Sequence, residues 1–167
     1  DGVVNTSSLE LGNLLDVKSL GSADAHIVAK ATVGGGDLLA DVDARIDGLG
    51  FGKYRYRDIE VDGSVKGSEY SVVVNSLDEN LEFDLYGAMS LGEERPTYDF
   101  SADIRRADLH ALGINRRDSV SVISAMLGAR AEGKSIDEMD GGVSIADVVY
   151  RYADKELTTD RLTVELS

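Results

Sequence analysis

The segment Gly128-Ala129-Arg130-Ala131-Glu132-Gly133-Lys134-Ser135 matches the phosphate-loop pattern GxxxxGK[ST]. In a nucleotide site, backbone amides of such a loop cradle phosphates, the lysine pairs with them and the serine holds magnesium. That chemistry needs a buried parallel strand before the loop and a long helix after it. Here Gly141-Gly142 follows almost at once, and Glu132 places negative charge beside the phosphates. The segment reads better as a strand end, a turn and a helix of one or two turns. Asp41, Asp43 and Asp47-Gly48 resemble the start of a calcium loop. The spacing fails, because Arg45 stands where a ligand should be and no glutamate closes the loop. His26 and His110 lie far apart, and neither has a second ligand at metal-site spacing. No GxSxG elbow presents a serine nucleophile. With no cysteine there is no thiolate, disulfide or cysteine metal site. No carboxylate pair stands out as an acid–base couple, so no catalytic, metal or cofactor residues are assigned. Tyr54-Arg55-Tyr56-Arg57 is a basic aromatic patch in an acidic chain. It reads as an ordinary strand with solvated arginines and half-buried tyrosines, or as a partner-binding patch.

The elements that carry these residues are strands. Apolar side chains recur at every second position, which places them on one face of a sheet. Ile59, Val61 and Val65 alternate with Glu60, Asp62 and Ser64. Tyr70, Val72 and Val74 follow, then Leu81, Phe83, Leu85, Gly87, Met89 and Leu91. Tyr98, Phe100, Ala102 and Ile104 repeat the scheme, as do Val143, Ile145, Val148, Tyr150, Tyr152, Leu162, Val164 and Leu166. Turns are expected at Gly34–Gly36, Asp47-Gly48, Asp62-Gly63, Lys66–Ser68, Leu77–Asn80, Leu91–Glu94 and Asp140–Gly142. About ten antiparallel strands follow, in one large curved sheet or two packed ones. Two short helices are expected. Leu9–Val17 carries leucines at helical spacing, capped by Ser7 or Ser8, and Ser135–Glu138 forms a capping box. Ser119–Ala131 satisfies both periods and is read as a strand.

The chain has 167 residues, enough for one domain with a sizeable core. Its 31 acidic and 17 basic residues give a net charge of −14. That opposes nucleic-acid binding and electrostatic docking of the chain on anionic lipid. No apolar run approaches the roughly 20 residues of a membrane-spanning helix. The chain starts at Asp1 and alternates to its last residues. It therefore reads as one β-rich segment, residues 1–167, of a longer extracytoplasmic protein, any membrane anchor lying outside it.

Four stretches carry a resemblance. They are YRDIEVDGSVKG from Tyr56, LDENLEFDLYGAMSL from Leu77, YDFSADIRRADLHALGI from Tyr98 and GKSIDEMDGGVSIADVVYRY from Gly133. Over about residues 9–167 the chain resembles the TamB family, AsmA-like proteins with a repeating β-groove, in the form found in Bacteroides-like bacteria. The resemblance implies a mainly β fold, a curved antiparallel sheet curled into a groove with one or two short helices. It implies a periplasmic protein tethered to the inner membrane and an outer-membrane β-barrel partner of the TamA type. The activity implied is passive: phospholipid transport toward the outer membrane, or assembly of proteins within it. No cofactor is implied. The groove candidates, which would face phospholipid acyl chains, are Val61, Val65, Val72, Val74, Leu81, Phe83, Leu85, Phe100 and Ile104. A second expectation stays open: an extracytoplasmic β-sandwich that recognises protein or glycan through its loops.

Overall fold

Side chains that alternate in character every second residue form stable antiparallel ladders, and the fold consists of them. The computed structural model describes residues 1–10, 19–35, 37–92, 94–134 and 139–166. Eleven strands are present: β1 (Gly2–Glu10), β2 (Leu20–Gly34), β3 (Asp37–Phe51), β4 (Tyr54–Tyr56), β5 (Ile59–Lys66) and β6 (Glu69–Asp78). They continue with β7 (Leu81–Ser90), β8 (Thr97–Asp108), β9 (Ser121–Glu132), β10 (Asp140–Tyr152) and β11 (Lys155–Leu166). All belong to one open antiparallel sheet in chain order, with β4 set aside as a short partner of β3. Ser119–Ala131 is strand β9 in all but its first two residues.

Directly opposed residues share a face, so register converts the sequence pattern into cross-strand rows. One row runs Ala29–Val42–Gly63–Val72–Gly87–Phe100–Ala129–Val143–Val164. The next runs Ile27–Ala44–Val61–Val74–Leu85–Ala102–Leu127–Ile145–Leu162. Both are apolar without interruption across nine strands. The opposite face carries rows such as His26–Arg45–Glu60–Asn75–Asp84–Asp103. A slip of one residue in any strand would turn its apolar set to that polar face, which is why the register is so well specified.

Among the described residues no second sheet packs on the apolar face. Among the described residues the buried apolar side chains are Ala23, Ile59, Ala107, Leu112 and Ala125, and of these only Ile59 and Leu112 are large. A sandwich of this size would seal many Val, Leu, Ile and Phe side chains. The exposed area is 11037 Å², against roughly 8,000 Å² for a globular protein of this mass. The two-packed-sheets expectation, and with it the closed sandwich, therefore gives way to a single layer.

Several local readings are also corrected. Asp47-Gly48 lies inside β3, Asp62-Gly63 inside β5 and Asp140–Gly142 inside β10. Asp62-Gly63 and Gly141-Gly142 are laddered to neighbours on both sides, and that pairing overrides the local turn preference; of Asp47-Gly48 only Gly48 is paired, with Asp24 of β2. At Gly48 the Arg55 guanidinium lies across the strand in the space a side chain would take. The turns at Lys66–Ser68 and Leu77–Asn80 form as expected, the first with Gly67 at φ 60°. Among the described residues there is no helix. Leu9 and Glu10 extend β1 by pairing with Ala23 and Ser22 of β2, past a bulge at Ser7 and Ser8, so no helix begins at Leu9. The remainder of that expected helix, residues 11–17, and all of Ser135–Glu138 lie outside the described residues.

Candidate functional site

The nine residues singled out for the apolar face all occupy it. Val72 and Phe100 lie in the first row above, and Val61, Val74 and Leu85 in the second. Val65 lies in a flanking row with Tyr70, Met89 and Tyr98. Phe83 and Ile104 pair with each other in the row of Ile59 and Ser76, and Leu81 faces Ala107 one row further. Every one of the nine is half-buried. A hollow of about 230 Å³ opens on this face, lined by residues of β3, β5, β6, β7 and β8 that include Val42, Gly63, Val72, Gly87 and Phe100. Its floor depends on a glycine. A Cβ at Gly87 would lie 2.8 Å from the Phe100 ring and 3.0 Å from Val72, so only glycine lets the ring lie across β7.

At one end of the strands the apolar face finishes in polar networks. Asp78, 3% exposed, accepts from the Tyr54 hydroxyl at 2.7 Å, the Arg57 amide at 2.8 Å and the Asn80 amide at 2.9 Å. Asn80 Nδ2 donates to the Tyr54 hydroxyl at 3.0 Å, and buried Ser76 donates to the Leu81 carbonyl at 2.7 Å. Burial, reinforced by the bond to Asp78, holds the Tyr54 hydroxyl above its ordinary pKa, and burial does the same for Tyr56. Further along, Asn115 Nδ2 donates to Asp118 at 3.1 Å and Ser121 at 3.1 Å, while Ser121 and Tyr150 share a bond at 3.0 Å. These contacts fasten the Leu109–Val120 loop over the ends of β8, β9 and β10. Sequence alone carried no signal of these networks, because Tyr54 and Asp78 lie 24 residues apart.

The residues flagged for chemistry are placed as follows. Gly128–Glu132 is the second half of β9, hydrogen-bonded to β8 and β10. Its amides serve the ladders, so no phosphate cradle forms there, and Ser135 lies outside the described residues. Asp41 and Asp43 stand on the polar face, and Asp43 directly opposes Asp62. The carboxyl of Asp62 is raised above its ordinary pKa, chiefly by its hydrogen bond with Asp43. Among the described residues no three His, Asp or Glu side chains are grouped to hold a metal. His26 bonds Asn5, while His110 is exposed on the loop. In the basic aromatic patch, Arg55 pairs with Asp24 and donates to Ser22 at 3.3 Å. The Tyr54 and Tyr56 rings meet edge to face at 4.8 Å. Three of the four patch residues therefore have an internal job, and Arg57 alone is left with an exposed side chain that pairs with no carboxylate among the described residues.

No protein-family model, curated protein or solved structure matches this chain.

Proposed function

We propose that the chain is a segment of a longer, TamB-like periplasmic protein, and that its sheet curls into a trough whose apolar face shields phospholipid acyl chains. The observation that carries this reading is the set of unbroken apolar rows on a sheet with no second layer over them among the described residues. The trough would serve phospholipid transport toward the outer membrane, or protein assembly within it. An inner-membrane tether and an outer-membrane β-barrel partner of the TamA type belong to the same reading. Each methylene moved from water onto the apolar face contributes about 0.8 kcal/mol, so a passive trough needs no catalytic group. The test is a photocrosslinking residue placed at Phe83 or Leu85 in the full-length protein, with Asn75 and Asp84 on the opposite face as controls. Lipid captured at the first pair and not the second supports the trough; equal capture at all four, or none, refutes it.

A further inference from the structure

The Leu109–Val120 loop is closed by its own hydrogen bonds. Asp108 accepts from the backbone amides of His110 and Ala111, and the Leu112 amide donates to the Asp108 carbonyl at 2.9 Å. The amides of Ile114 and Asn115 both donate to the Leu109 carbonyl at 2.8 Å, and Leu112 is 8% exposed beneath them. On this frame Ile114 is held 69% exposed. Arg116 and Arg117 follow it, both exposed, and neither guanidinium has an ion-pair partner among the described residues. Arginines 45, 55, 95, 105, 106, 130 and 151 pair with carboxylates, whereas Arg57 and Arg161, like these two, do not among the described residues.

We propose that this loop is a contact element for the anionic surface of a phospholipid bilayer, with Ile114 entering the interface and Arg116 and Arg117 meeting lipid phosphates. Guanidinium groups suit phosphate because their planar donors match its oxygens. A single apolar side chain beside two cations has the composition of an interfacial anchor. The net charge of −14 opposes docking of the whole chain, but charges beyond about 8 Å are largely screened at physiological salt. Of the acids here, Asp108 pairs with Arg106 and caps the turn, while Asp118 keeps its charge beside Arg117 and accepts from Asn115. Lys53 and Arg57, exposed near the same strand ends, add positive charge, which Glu79 and Asp154 there offset. The contact is weak by itself and suits a chain held near a membrane by other means.

Flotation of the 167-residue chain with vesicles tests this. One set is phosphatidylcholine alone, the other phosphatidylcholine mixed with phosphatidylglycerol. Binding should favour the anionic set and fall as salt is raised. Arg116→Ala with Arg117→Ala should weaken it about thirtyfold, and Ile114→Ser about tenfold. All three positions are exposed, so circular dichroism of the variants should match the parent. Equal binding to both vesicle sets, no binding to either, or unchanged binding by both variants overturns the proposal. Capture on an acidic peptide matrix without vesicle binding also overturns it, by assigning the loop to a protein. Failure here leaves crosslinking at Phe83 unaffected, so the two readings fail separately.

Discussion

Removing the Asp78 carboxylate should cost this sheet more than truncating any half-buried valine of the apolar face. In Asp78→Ala three donors lose their acceptor together: the Tyr54 hydroxyl and the amides of Arg57 and Asn80, bonded at 2.7, 2.8 and 2.9 Å. Hydrogen bonds to a charged group contribute about 1.5–3 kcal/mol each, and some of the stranded donors will find water. The expected loss is therefore about 3–5 kcal/mol, of the order seen when a buried polar network is broken. Chains of this size have total stabilities of about 5–15 kcal/mol, so the loss is a large fraction. Urea unfolding followed by circular dichroism measures it. With a slope of about 2 kcal/mol/M, the midpoint should fall by roughly 1.5–2.5 M. Tyr54→Phe removes one donor and should lose only about 1 kcal/mol. Asp78→Asn should fall between the two, since its amide N–H must meet a donor. A midpoint for Asp78→Ala within about 0.3 M of the parent would refute the claim that this carboxylate organises the strand ends.

Asp62→Asn should raise the thermal midpoint, because it relieves the facing carboxylates of Asp43 and Asp62. The folded pKa of Asp62 lies above its ordinary value, so the native state holds that proton more tightly than the unfolded one. In the parent this strain is absent at acid pH and appears as pH rises through the carboxylate range, and the Asp62→Asn variant should lose that dependence in a pH series of melts. Gly87→Val should displace the Phe100 ring and fill the hollow on the apolar face, lowering lipid capture by a crosslinker at Met89, which lines it, more than at Ile145, which does not. Titration with ATP should give no heat, and Lys134→Ala should change nothing, because the glycine-rich match runs along a strand.

The strand content was legible because alternation is a local property. Val72, Val73 and Val74 differ little in chemistry, yet their neighbours Ser71 and Asn75 show which face each valine takes. The rows were not legible, because they depend on where each turn falls. Asp62-Gly63 has the composition of a tight turn and becomes the middle of β5 only through pairing with β3 and β6. Register shifts at Glu82/Phe83 and at Ala146/Val149 likewise leave no mark in composition. The candidate face could be named residue by residue, since it needs only the alternation. The networks around Asp78 and Ser121 could not. Leu77–Asn80 reads as a turn and is one, but the burial of its aspartate comes from Tyr54, a residue brought there by β4.

A one-layer sheet distributes its stability differently from a packed domain. Each strand of the main path rests chiefly on its hydrogen-bonded neighbours, so cooperativity passes along the sheet much as it does along a repeat protein. The half-buried rows contribute only part of what sealed side chains would, and the polar networks make up the difference at one end. At the other end Arg95 bridges Glu132 at 3.3 Å and Asp140 at 2.6 Å, in a more exposed setting. On the proposed reading, stability and ligand binding are therefore coupled on the apolar face. Any ligand that binds the folded sheet there stabilises it by mass action, by about 2.7 kcal/mol at a hundredfold excess over its dissociation constant. The polar networks lie toward the strand ends, where Ser76 opposes Phe83 and Asp78 opposes Leu81, so their contribution should persist when a ligand occupies the rows of Val72 and Val74. Substitutions at Asp78 and ligands on the rows of Val72 and Val74 should then act additively, as sites without shared partners do.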